Sequence, residues 1–143
     1  MANHPIVGAW RLLSFAFTDE AGEVVYPLGD SPVGGVIFTA DGHMSLDFMA
    51  GGRAPFADDD ILGGTPDEQA AAARSFVAFG GPYIIEDGAV LIDVKHSLHP
   101  NWAGHAHKRF FQVSGDSLSL RTPQPIHLQG KLRSGEARFE RLK

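Results

Sequence analysis

The residues best equipped for chemistry lie in one stretch, HSLHPNWAGHAHKRF, from His96 to Phe110. It holds four of the seven histidines, one of the two tryptophans and an arginine. Imidazoles so placed can carry protons near neutral pH, ligate a metal, or serve as polar rungs of a hairpin. His105 and His107 stand two apart, so on a strand they project together, and His96 could add a third nitrogen. Against a metal, Lys108 and Arg109 follow at once and would repel a cation, and no glutamate stands a few residues on. No metal is therefore expected. Asp58, Asp59 and Asp60 form a run of the kind usually found as a solvated loop patch. GGVIFTADG lacks phosphate-loop spacing, and no serine sits in a nucleophile elbow. Without cysteine there is neither a thiolate nucleophile nor a disulfide.

What must position these groups is a set of short strands. Turn-forming clusters recur at DEAGE (19–23), ADG (40–42), EDG (86–88) and SGD (114–116), each between runs rich in Val, Ile, Leu and Phe. Strands are predicted at Gly8–Phe17, Gly34–Thr39, Met44–Met49, Pro82–Glu86, Ala89–Leu98, Ala106–Ser114, Ser117–Thr122 and Glu136–Leu142, with a weaker one at Val24–Tyr26. Many strands and few helices imply a sandwich or a barrel. The one helical signal is TPDEQAAAARSFVAFGG. Thr65 can cap it, Pro66 suits its first turn, Glu68 completes a capping box, and Gly80–Gly81 would stop it, so the helix is predicted over Pro66–Phe79. Residues 49–64 read as a connector or lid.

Strand phase then assigns faces, because side chains alternate and cross-strand partners share a side. A turn at Asp87–Gly88 sets Ile85 against Val90 and Tyr83 against Ile92; continuing outward, Val94, His96 and Leu98 share that face. A turn at Gly115–Asp116 sets Val113 against Leu118 and Phe111 against Leu120, with Arg109, His107 and His105 on the same side. A symmetric register across the intervening loop places His96 opposite His107. His96, His107, Arg109 and Tyr83 are thus expected on one inner wall, and His99 outside. Polar groups inside an apolar wall need partners. They either satisfy one another and hold the hairpins in register, or face a ligand.

At 143 residues the chain suits a single domain, 1–143, with one core. A formal charge of −5 and scattered basic residues argue against nucleic acid as a partner. No run approaches the ~20 apolar residues of a membrane helix, and the first residues lack a signal-peptide pattern. A cytoplasmic protein without membrane partners is expected.

GAWRLLSF, YPLGDSPVGGVIFTADGHMS, AAAARSFVAFGGPY and SLHPNWAGHAHKRFF with GDSLSLRTP, in this order over nearly the whole chain, resemble the small lipocalin-like domain family of calycin barrels. The resemblance implies a mainly β fold: an antiparallel up-and-down barrel of about eight strands with one helix and a central cavity. It also implies that Trp10, in Gly8-x-Trp10, packs under a last-strand arginine, Arg141 or Arg138. Such barrels bind small hydrophobic molecules, and some relatives resemble cofactor-independent isomerases or cyclases of polyketide-like or terpenoid-like intermediates. A histidine pair common in the family is absent at Ile92 and Asp93, so no catalytic histidine is transferred; Asn101, Trp102 and Arg109 match better. In the enzymatic version His96 or His107 would carry the proton, while Arg109 and Tyr83 would stabilise an enolate or oxyanion. Phe38, Met44, Trp102 and Phe111 would shape the cavity, with Asn101 beside the ligand and no cofactor. The alternative is a barrel filled by its own side chains, acting through protein partners or oligomerisation; a homodimer is left open. Cavity volume separates the two.

Overall fold

The computed structural model describes residues 3–143. Eight strands close the barrel: β1 (Gly8–Asp19), β3 (Val33–Phe38), β4 (His43–Met49), β5 (Phe76–Glu86), β6 (Ala89–Asp93), β8 (Ala106–Ser114), β9 (Ser117–Arg121) and β11 (Lys131–Arg141). Three short strands flank it: β2 (Val24–Val25) on β1, β7 (His96–Ser97) on β5 and β10 (Ile126–Leu128) on β11. Every pairing is antiparallel, and β1 closes the ring by pairing with both β3 and β11. No helix of the described residues is long and apolar enough to cross a membrane.

Two-residue turns set the hairpin registers. Asp87 and Gly88 both take positive φ, 50° and 74°, as a type I′ turn requires. Their hairpin pairs Ile85 with Val90 and Tyr83 with Ile92. The next turn, with Gly115 at φ 59°, pairs Val113 with Leu118 and Phe111 with Leu120. Both hairpins match their sequence reading.

The helix is shorter than its signal. α1 runs Pro66–Arg74, with Thr65 and Glu68 forming the capping box, and ends at Ser75, whose hydroxyl donates to Ala71 O at 2.8 Å. The sequence signal carries the helix on to Phe79, but Phe76–Pro82 forms a seven-residue ladder with β4 instead. That pairing turns Phe79 into the core, where it is buried. A continued helix would have left an edge of β4 unpaired.

A second departure moves a candidate site residue. The sequence phase implies one continuous strand over Ala89–Leu98, yet the register against β5 slips by one between Tyr83↔Ile92 and Gly80↔His96. The extra residue is a bulge around Val94–Lys95, and a slip of one reverses every side chain beyond it. At Gly81, any Cβ would overlap the Asp93 carbonyl. Glycine therefore permits the close approach of backbone that the bulge needs. β8 also leaves β6 here, with Val94 N–H donating to His105 O and Gly104 N–H to Val94 O.

One end of the barrel is plugged. Trp10 is 1% exposed, its Nε1–H donates to Ile6 O at 2.9 Å, and the Arg141 guanidinium lies 4.1 Å from its ring centroid. Arg141 also donates to the Val7 and Pro5 carbonyls, tying the N-terminal segment across the barrel base. Arg138, the other candidate for this role, points outward and pairs with Glu136.

Candidate functional site

The end away from Trp10 holds the cavity. A bulge in β1 between Leu12 and Ser14 shifts its phase, so Trp10 and Leu12 face inward below it and Phe15 and Phe17 line the cavity above it. Phe48, Phe79, Ile92 and Leu120 add the remaining apolar wall. Polar side chains come from Arg109 on β8 and Thr122 after β9; Glu136 on β11 borders the space, but its side chain shares the outer face with Arg138. Thr122 Oγ1 is engaged by the Gly135 N–H at 3.0 Å, and the Glu136 carboxylate by Arg138 Nε at 3.1 Å.

The space is about 50 Å³. That is room for a few waters, and far below the roughly 300–1,000 Å³ of formed ligand pockets. Binding of a ring-sized molecule therefore requires side chains at the mouth to move. Trp102 stands at this mouth. It sits on a single 3₁₀ turn, Pro100–Trp102, between exposed neighbours, and its ring meets Phe79 at 5.5 Å, His99 at 5.6 Å and His107 at 4.8 Å.

Arg109 lines the cavity wall as a cation, while Arg133, buried further out on β11, pairs with Glu23 at 3.8 Å. The Arg109 guanidinium carbon lies 5.7 Å from the Trp102 ring and 5.9 Å from the Phe79 ring. Among the described residues its only hydrogen bond runs to the Lys108 carbonyl, at 2.9 Å, and no carboxylate pairs with it. Burial pushes its pKa down to about 10, so it remains a cation at neutral pH. His107, one inward position along the strand, is half-buried opposite Ile92. Burial first, then Arg109 and His105, hold its pKa below the ordinary value and favour the neutral imidazole.

The lipocalin-like domain profile matches residues 7–141, the same span that builds this barrel. The chain belongs to the lipocalin-like domain family. The lipocalin-like chain is also 32% identical, over 95 residues, to the 4'-hydroxy-3'-methoxypropiophenone carrier protein of Aspergillus oryzae, covering 61% of this chain and 86% of that protein. No solved structure matches it.

Within this lipocalin-like barrel the expected site residues part company. Met44, Trp102 and Arg109 line the cavity, and His107 stands against Trp102. His96 does not face His107. The bulge sets it opposite Gly80, exposed on the outer face, and His107 is opposite Ile92. Tyr83 is inward but at the plugged end, where its hydroxyl donates to Thr39 O at 2.7 Å and its ring packs on Phe38 at 5.1 Å. Burial and then the Asp41 charge raise its pKa. Phe38 belongs to that same packing, and Phe111 packs beside His4. Neither reaches the cavity. Asn101 is exposed beside Trp102. His105 is exposed as well, and among the described residues no three His, Cys, Asp or Glu side chains gather as a metal site.

Phe15, Phe17, Phe79, Thr122 and Glu136 were missed. The period-two alternation of Phe15 and Phe17 was visible in the sequence, and so was that of Val77 and Phe79 once VAFGG is read as strand. Nothing local signals Glu136, which is brought to the rim by the pairing of β11 with β9.

Proposed function

We propose that the chain binds and carries a small hydrophobic molecule, polyketide-like or terpenoid-like in character, in the open-end cavity. The observation that carries this reading is Arg109, a cation that among the described residues has no carboxylate partner, facing an aromatic wall beneath Trp102. A structural arginine at such a place would be expected to have a carboxylate. The likeness to a carrier of an aryl ketone supports the same reading. Entry of the ligand displaces the Trp102 ring and expands the present space.

The test is titration with an anilinonaphthalene dye, alongside native mass spectrometry of protein incubated with aryl ketones. Saturable one-to-one binding, weakened by Arg109→Met and untouched by Phe38→Leu at the plugged end, is the expected result. Absence of any occupant in both measurements would leave the barrel to act through protein partners instead.

A catalytic version, a cofactor-independent isomerase or cyclase, draws on His107 and Arg109 alone, since His96 is outside and the Tyr83 hydroxyl is engaged. In it the neutral His107 imidazole takes a proton from carbon, and Arg109 holds the enolate oxygen. Solvent deuterium incorporation into a bound ketone, lost in His107→Gln, is its signature. Exchange no faster than in buffer, with the ketone bound, restricts the chain to carriage.

A further inference from the structure

The charge balance of the cavity narrows what it carries. The ionisable groups at or near it are Arg109, His107, His105 and Glu136, with Arg133 buried beyond Gly135 on β11 and paired to Glu23 at 3.8 Å. His105 is exposed, and Glu136 is engaged by Arg138. His107 favours its neutral form and adds no charge to the wall. The net field at the inner wall is positive, in a medium of phenyl and indole rings that screens little.

A cation there is stabilised most by an anion that also fills the apolar volume. A flat conjugated ring fits the spacing, because Trp102 and Phe79 lie on the guanidinium at 5.7 and 5.9 Å and offer ring faces and edges to a planar guest. We infer that the preferred occupant is a planar, conjugated molecule bearing one ionisable oxygen, a phenol or an enol, bound as its anion with that oxygen on Arg109. The inference rests on the carrier reading above. On binding, the O–H bond breaks, its electron pair stays on oxygen as the phenolate or enolate, and the proton passes to solvent. No redox partner is involved. The neutral form of the same molecule binds more weakly, because its oxygen forms an ordinary hydrogen bond rather than a charge-assisted one.

The experiment uses two probes of nearly equal size, para-nitrophenol, whose anion is yellow, and para-nitrotoluene, which does not ionise. At a pH about one unit below the free phenol's pKa, wild-type protein should raise the yellow fraction. Above that pKa, where the anion predominates, it should also bind the nitrophenol roughly ten-fold more tightly than the nitrotoluene, the equivalent of one pKa unit. Arg109→Met should abolish both effects. Arg109→Lys, which keeps the charge but not the planar fork, should retain part of the yellow shift. The wild-type spectrum decides the matter even if Arg109→Met fails to fold. If both probes bind equally and the yellow fraction is unchanged, the anion preference is wrong while the carrier reading stands. If neither probe binds folded protein, both fall.

Discussion

The Trp102 indole lies 4.8 Å from the His107 ring and 5.7 Å from the Arg109 guanidinium, so one side chain on a single 3₁₀ turn covers both polar groups of the β8 inner face. Its neighbours Asn101 and Ala103 are exposed, its backbone bonds to His99 and His105, and its ring rests on Phe79, His99, His107 and Arg109. The cavity beneath it measures about 50 Å³.

Trp102→Ala should therefore speed both entry and release of an anilinonaphthalene dye in stopped-flow mixing. The loss of stability should be about 1–3 kcal/mol, below that of a fully buried tryptophan because this ring is only half-buried. Unaltered dye kinetics would rule out Trp102 as the gate.

At the other end, Trp10→Ala removes a fully buried ring together with the surface under Arg141. The expected loss is about 3–5 kcal/mol by thermal or urea unfolding. Dye affinity of the fraction that remains folded should stay as in wild type, since Trp10 does not border the cavity. A strong loss of affinity would join the two ends functionally.

Arg109→Met replaces a cation that has no carboxylate partner among the described residues by an apolar chain of similar length. Its melting temperature should equal or exceed that of wild type, by an amount on the order of 1 kcal/mol, because desolvating the charge opposes folding. A clear fall in melting temperature would mean that the ring contacts to Trp102 and Phe79 outweigh that cost, and that Arg109 is chiefly structural.

His107 provides a pH signature. Its folded pKa is held below 6.5, so below that pH the unfolded chain binds a proton that the folded one resists. Its stabilising contribution is complete above pH ~6.5 and is lost as pH falls through the lowered folded value. Melting temperature should decline on acidification from about pH 6.5 to 5, and His107→Gln should flatten that decline. Identical slopes in the two proteins would show that His107 is freely solvated.

Gly81→Ala tests the bulge that turns His96 outward. A Cβ there meets the Asp93 carbonyl, so the substitution should cost about 1–3 kcal/mol and disturb the β6–β7 connection. The amide signals of Val94 and Lys95 in nuclear magnetic resonance spectra would report the change. Wild-type stability would show that the backbones separate without penalty.

What the sequence determined by itself was whatever short-range chemistry decides. Asp87–Gly88 and Gly115 dictate their turns, the turns dictate register, and register correctly turned Tyr83, Ile92, Arg109 and Phe111 inward. Thr65-Pro66-x-Glu68 likewise marked the start of the helix. Tertiary structure alone decided where those phases break. The close backbone approach of Gly81 to Asp93 inserts one residue into the strand and reverses His96, and the ladder of β5 with β4 ends the helix before Phe76. Tertiary structure also decided which end of the barrel each inward residue occupies. Alternation tells inside from outside but carries no height along the axis. Tyr83, Phe38 and Phe111 therefore packed at the plugged end, while closure through β1, β9 and β11 gathered Phe15, Phe17, Thr122 and Glu136 around Arg109. A bulge costs little locally and is settled by which strands it lets meet, and that is a property of the closed barrel rather than of any short segment.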